Sequence, residues 1–208
     1  MKKMMYGLFF GDSITYGEYD GVFGGWVDIL KRYALQKYNE GSNELILFNL
    51  GIGGETTECL LKRMPHEMAA RNSAEGNIIF ISYGANDLAV KDANQLVNSQ
   101  QFKANIETAV QQAKQYSSDI YLASILPFSD KVDKIIQPTG KIRDNEDVLI
   151  YNQILKDVAT ENALNYIDFY SSIVDDKEIL LSKDGVHPNK KGYGIMAETA
   201  LPIIEKYL

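Results

Sequence analysis

The chain has 208 residues, 45% of them apolar, which is enough for one substantial hydrophobic core and short for two. A formal net charge of −7 and a pI near 4.9 argue against nucleic acid or an anionic membrane surface as the main partner, because both require a basic face. Cys59 is the only cysteine, so an intrachain disulfide is excluded and a reducing, cytoplasmic setting is expected.

The start of the chain, Met1-Lys2-Lys3-Met4-Met5 before an apolar run, has the outline of a leader. Its apolar part is short, however, and no small-residue cleavage site follows. No later run approaches the ~18 apolar residues of a membrane span, so no stable membrane insertion is expected. Tyr6 to Phe10 is short and aromatic enough to predict a buried strand. It runs into Gly11-Asp12-Ser13-Ile14-Thr15-Tyr16-Gly17, a turn that sets a hydroxyl beyond the carboxyl end of the strand. In open α/β sheets, ligands sit at that edge.

A Gly-rich loop over 18–25 leads to apolar residues at 26, 29, 30 and 33, the spacing of a helical face, and Asn39 to Asn43 breaks it. Leu45 to Leu50 predicts a second buried strand, followed by Gly51-Ile52-Gly53-Gly54-Glu55-Thr56-Thr57, a loop opening a helix. Cys59 falls on that helix, where an inert buried thiol is the simpler reading than a nucleophile. Asn77 to Tyr83 predicts the third strand, ending in Gly84-Ala85-Asn86-Asp87, and a helix is predicted over 99–116. Ile120 to Ile125 is the fourth strand, and the polar stretch from Phe128 to Asp147 reads as a long loop bordering a site. A helix over 148–162, a fifth strand over 165–169, the loop Asp184 to Asn189 and a helix over 190–207 complete the chain. Strands alternating with helices predict a parallel sheet covered on both faces. With no repeat, low-complexity tract or linker, residues 1–208 read as a single domain.

Polar clusters fall at the carboxyl ends of strands or in the last long loop: Ser13, Gly53-Gly54, Asn86-Asp87 and Asp184/His187. A serine hydroxyl needs a base to become a nucleophile, and histidine has the pKa for that task near neutrality. His66 has charged neighbours in Arg63-Met64-Pro65-His66-Glu67 and reads as a surface residue, which leaves His187 as the better candidate. Asp184 reaches the His187 ring if Gly185 lets the loop fold back; otherwise it is a turn-forming aspartate. Donors for an oxyanion are available from the backbone of Ser13, the backbone of Gly54 and the amide of Asn86. Alternatively, the glycines make a tight turn and Asn86 caps a helix.

Gly11-Asp12-Ser13-Ile14, Gly54 within Asn49 to Thr56, Asn86 in Gly84-Ala85-Asn86-Asp87, and Asp184-x-x-His187 together resemble the ordered blocks of the GDSL esterase/lipase family, the SGNH hydrolases. Ile14 departs from the motif's leucine and Ala85 from a common second glycine, and neither change removes a functional group. The resemblance implies a three-layer, flavodoxin-like α/β fold with a five-stranded parallel sheet in the order 2-1-3-4-5. It implies a serine esterase with no metal and no organic cofactor. Ser13 is then the nucleophile, His187 the base and Asp184 its orienting acid, with Ser13, Gly54 and Asn86 forming the oxyanion hole. Trp26 and Tyr193 also resemble family features of a structural kind. The expected substrate is a small-molecule or carbohydrate ester, with short acyl or acetyl groups favoured over a lysophospholipid or thioester. A catalytically silent acyl-ligand binding protein and a nucleotide-binding module built on Gly51-x-Gly53 stand as the other classes. The pocket's shape is expected to depend on 16–23, 88–96 and 128–147.

Overall fold

A computed structural model describes residues 3–208; Met1 and Lys2, which open the leader-like stretch, lie outside the described residues. The strand predicted around Tyr6 to Phe10 is β1 (Met4–Gly11). It lies between β2 (Glu44–Gly51) and β3 (Asn77–Ser82), parallel to both, with Gly11 in register with Gly51 on one side and Ser82 on the other. Three strands therefore end side by side. A two-residue hairpin, β4 (Val90–Lys91) and β5 (Asn94–Gln95), stands apart from the sheet. Beyond β3 the sheet continues through β6 (Asp119–Ala123) and β7 (Asn165–Ile167), giving β2-β1-β3-β6-β7. Counting only the strands of this sheet, the order is the expected 2-1-3-4-5, and every pairing in it is parallel.

A parallel strand covered on both faces has no polar side, which is why Leu8, Phe9 and Phe10 are all buried. Successive side chains point to opposite faces. Phe9 meets Trp26 of α2 (Gly25–Glu40) edge-on at 5.3 Å, and Trp26 in turn meets Phe169 of α6 (Phe169–Ile173) at 5.0 Å. Phe10 points the other way, under the guanidinium of Arg63 on α3 (Thr57–Ala70). On the Phe9 face the rings of Phe9, Phe80 and Tyr121, in register on neighbouring strands, stack in a row at 4.1 and 4.9 Å. Such ring pairs add about 0.5–1.5 kcal/mol each beyond their burial. The last helix, α8 (Lys190–Glu205), packs on α2 and α6, while α4 (Ser99–Ala113) bridges α3 and α5 (Asn145–Glu161).

Several boundaries differ from expectation. α5 begins at Asn145 rather than Val148, because Asp144 caps it by accepting the Glu146 N–H. β7 stops at Ile167, and Phe169 instead opens α6, capped by Asp168. A further short helix, α7 (Lys177–Leu180), precedes the Asp184 loop. Cys59 is half-buried on α3, not fully buried. Trp26 and Tyr193 are both completely buried, in keeping with structural roles. No helix among the described residues is long and apolar enough to cross a membrane.

Candidate active site

The turn after β1 is fixed by Asp12, whose carboxylate accepts the Ile14 N–H at 2.9 Å and so caps the one-turn helix α1 (Ser13–Tyr16). Ser13 is the first residue of that helix, at the carboxyl edge of the sheet. Burial lifts the Asp12 carboxyl to about 6, against the lowering effect of the Ile14 N–H and of the nearby His187 and Arg143.

Ser13 Oγ lies 2.7 Å from His187 Nε2, and His187 Nδ1 lies 2.5 Å from Asp184 Oδ2. Burial opposes charge on Asp184, but hydrogen bonds from the His187 ring and the Val186 and His187 backbone outweigh it and hold the carboxyl below its ordinary value. Asp184 is therefore ionised at neutral pH and can only accept, so Nδ1 carries the proton and Nε2 is left to accept from the Ser13 hydroxyl. Both readings of Asp184 hold at once. Its Oδ1 accepts the backbone N–H groups of Val186 and His187, each at 3.1 Å, making the turn, while Oδ2 holds the ring.

Gly185 permits this fold-back. Its φ is +70°, and a Cβ there would stand 2.8 Å from Val132 Cγ2. The loop is further tied by the Ser129 N–H on the Gly185 carbonyl at 2.9 Å and the Ser182 N–H on the His187 carbonyl at 2.7 Å.

The candidate oxyanion donors converge from the neighbouring strands. A Cβ on Gly53 would lie 3.9 Å from the Ser13 Cβ, which shows how closely the loop after β2 approaches the serine. Gly54 has φ +78° and open space where a Cβ would be, and its N–H makes no hydrogen bond among the described residues. Asn86 follows β3 in a turn, and no helix starts there, so the capping alternative is not met. Its Nδ2 donates to the Glu55 carbonyl at 3.1 Å. Beneath it, Asp87 accepts the Thr57 N–H at 2.9 Å and the Thr57 hydroxyl at 2.5 Å, and burial raises its carboxyl to about 6. The loop that carries Gly54 is anchored through Glu55, whose carboxylate takes hydrogen bonds from Arg63 and from the Tyr83 hydroxyl, both at 2.8 Å.

Ser13, Gly54, Asn86, Asp184 and His187 line one cavity of about 500 Å³, within the size range of small-molecule sites. The loop over 128–147 forms much of its wall through Val132, Ile135, Ile136 and Pro138, as its length and composition implied. Glu18 and Tyr19 add the opposite side, Glu18 Oε2 at 3.7 Å from His187 Nε2 and the Tyr19 ring at 5.1 Å from the His187 ring. The buried Tyr193 hydroxyl holds this side by donating to the Glu18 carbonyl at 2.8 Å. The stretch 88–96 contributes no lining residue; it instead ties down the long loop through a Val90–Ile142 bridge. His66 is exposed on α3 and takes no part. Two cavity residues with no sequence signal are Lys141 and Arg143, both reaching the Asn86 side-chain oxygen.

A wound parallel sheet with serine, histidine and aspartate in hydrogen-bonded series at its carboxyl edge has the geometry of an α/β serine hydrolase. Known proteins agree. Residues 9–195 match the GDSL-like lipase/acylhydrolase family, and the chain belongs to that family. It is 29% identical over 209 residues to the isoamyl acetate-hydrolyzing esterase of Saccharomyces cerevisiae, covering 96% of this chain and 86% of that protein. Among solved structures it is similar to a lipase/acylhydrolase from Enterococcus faecalis, with TM-score 0.78, 25% identity and coverage of 98% and 96% of the two chains. It shares its fold with an acetyl xylan esterase from Geobacillus stearothermophilus, with TM-score 0.75, 21% identity and coverage of 100% and 97%.

Proposed function

We propose that the protein hydrolyses short-acyl carboxylic esters, acetyl esters above all, through an acyl-enzyme at Ser13. The observation that carries this reading is the 2.7 Å contact of Ser13 Oγ with a His187 ring already oriented by Asp184. In the first step His187 Nε2 takes the Ser13 proton as Oγ attacks the ester carbonyl. The negative charge moves to the carbonyl oxygen, where the N–H groups of Ser13 and Gly54 and the Asn86 amide receive it. Collapse of this intermediate breaks the bond to the alcohol, which leaves with the proton from His187. Water then enters, loses a proton to His187, attacks the acyl carbonyl and releases the acid as Oγ regains its proton.

Support for a short acyl group comes from the mixed lining, with Lys141, Lys183, Glu18 and Gln137 facing the same space as Ile135 and Ile136. An apolar trough of the kind a long acyl chain needs would not be interrupted in this way. The yeast relative's name points to an acetate ester as well. The continuous apolar core supports residues 1–208 acting as one domain, and the lone cysteine supports a cytoplasmic setting.

The test is intact mass after exposure to a fluorophosphonate probe. One adduct on the wild type, none on Ser13→Ala and slow labelling of His187→Ala are expected. No adduct on the wild type would overturn the mechanism and favour a silent acyl-ligand binder. A series of esters of one alcohol, from acetate to octanoate, then reads the acyl preference. A maximum kcat/KM at acetate or butyrate is expected, and a maximum at octanoate would point to lysophospholipid-like substrates.

A further inference from the structure

The long loop brings two cations to one neutral amide. Lys141 Nζ donates to Asn86 Oδ1 at 2.9 Å, and Arg143 Nη2 donates to the same oxygen at 3.3 Å. Lys141 and Arg143 are two apart on an extended stretch, so both side chains project to the same side. That stretch is fixed in register: Val90 and Ile142 exchange backbone hydrogen bonds at 2.9 Å in each direction, and the Lys134 N–H donates to the Arg143 carbonyl at 2.7 Å. A turn through Pro138, Thr139 and Gly140, closed by the Gln137 N–H on the Lys141 carbonyl at 2.9 Å, sets the stretch in place.

Arg143 is tied down beyond this contact. It is buried, its Nε donates to the Ala85 carbonyl at 2.9 Å, its Nη1 donates to Gln137 Oε1, and it lies over the Phe128 ring. Lys141 is different. It is half-buried, lines the cavity, and Asn86 Oδ1 is the side-chain oxygen it engages. Burial and the neighbouring Arg143 both weaken its hold on its proton, so this placement of a second cation is electrostatically costly.

An asparagine amide can flip, exchanging its oxygen for its nitrogen at little cost in shape. With two cationic donors on one side, only the oxygen can face them. Nδ2 is then forced to the opposite side, where one N–H goes to the Glu55 carbonyl, and the amide carries a second N–H beyond that contact in a residue that lines the cavity. Charge beside the oxygen also draws electron density away from Nδ2 and strengthens it as a donor. We propose that Lys141 is a positioning residue for the oxyanion hole, acting with Arg143 to fix and polarise the Asn86 amide so that Nδ2 is aimed at the developing negative charge. The inference rests on the esterase mechanism proposed above.

The experiment compares wild type, Lys141→Met, Lys141→Arg, Asn86→Ala and the Asn86→Ala/Lys141→Met double variant, using an acetate ester and the fluorophosphonate probe. Losing a hole donor outright costs ~10²–10³ in turnover. Arg143 still holds the amide in Lys141→Met, so kcat is expected to fall about 10- to 100-fold with KM nearly unchanged. The labelling rate falls in parallel, because phosphonylation loads the same hole. Lys141→Arg recovers most of the loss, since it restores a charged donor. In the Asn86→Ala background, Lys141→Met adds little further loss, the signature of two residues acting as one. A rise in KM with kcat unchanged would overturn the proposal and make Lys141 a ligand contact. Unchanged kinetics, or full additivity in the double variant, would overturn it as well. Ser13→Ala is the separate control: if it keeps wild-type turnover, the esterase mechanism fails first, whereas an inactive Ser13→Ala beside an unaffected Lys141→Met refutes the positioning role alone.

Discussion

Asp184 carries two jobs on two oxygens, and substitutions can separate them. In Asp184→Asn the remaining carbonyl oxygen stays with the N–H groups of Val186 and His187, which need an acceptor. The new amide nitrogen then faces His187 Nδ1, where Asp184 Oδ2 was. A donor at that point forces Nδ1 to accept, moves the ring proton to Nε2, and leaves the ring unable to take a proton from Ser13. Fixing the wrong tautomer lowers kcat by about 10⁴ while geometry is preserved. The fold should be little affected. Asp184→Ala removes both oxygens and strands two backbone N–H groups in a half-buried loop, costing about 1–3 kcal/mol. For a chain of this size that is roughly 3–10 °C in Tm. The assay is kcat on an acetate ester beside thermal unfolding. Expected are two inactive variants, of which only Asp184→Ala is clearly less stable. The pH dependence follows from the same contacts. A carboxyl held below its ordinary value stabilises the fold above the unfolded pKa of about 3.9, and that stability is lost as pH falls toward the folded value. The stability gap between wild type and Asp184→Ala should therefore narrow below about pH 4. Asp184→Asn retaining kcat within about tenfold of wild type would refute the assignment of His187 orientation to Asp184.

Asp87 has the opposite sign: burial raises it from 3.8 to about 6, so its ionisation between those values costs stability. At about 1.4 kcal/mol per pH unit, wild type should lose roughly 3 kcal/mol relative to Asp87→Asn between pH 4 and pH 7, read by urea unfolding; a pH-independent difference would contradict this. Gly185→Ala is expected to lose about 1–3 kcal/mol and most activity, because it combines a φ of +70° with a Cβ contact of 2.8 Å to Val132. Adding Val132→Ala relieves only the contact, so it should restore part of the stability; no restoration would mean that the backbone angle alone matters. Tyr83→Phe removes the hydroxyl shared by Arg63 and Glu55, and should lower stability by about 1–2 kcal/mol. It should also lower kcat about 3- to 10-fold by loosening the Gly54 loop, a split that steady-state kinetics will resolve.

The sheet was legible because burial on both faces leaves nothing for a strand to write but apolar residues, as in Leu8-Phe9-Phe10 and Ile78-Ile79-Phe80-Ile81. Elements too short to have a period were not legible. α6 and α7 have five and four residues, less than two turns, and no hydrophobic repeat can declare itself over that length. The β4–β5 hairpin turns through Asp92 and Ala93, both at positive φ. The usual signal for such a turn is Asn-Gly or Asp-Gly, and alanine in that place hides it. α5 did announce its start through Asp144, an N-cap three residues before Asp147, but the polar run around it reads equally well as more loop.

The site divides along the same physical line. Ser13, Gly54, Asn86 and the Asp184/His187 pair each sit where a strand ends or a loop must fold back, so local chemistry marks them as candidates, and it is the resemblance to the GDSL family that favours the catalytic reading over a turn or a cap. Asp184 shows why two readings of one residue need not compete. A turn-forming aspartate uses one oxygen, and the turn it forms is what delivers the second oxygen to the ring. Lys141 and Arg143 had no such signal. Two cations two residues apart in a polar loop are by themselves a solvated surface. Their meaning depends on the Val90–Ile142 bridge, some fifty residues apart in the chain, which turns that stretch inward over Asn86. What a sequence can declare locally is the group that reacts. What aims that group is set by long-range pairing, and here the long loop's register with β4 decides which side of the Asn86 amide meets the cavity.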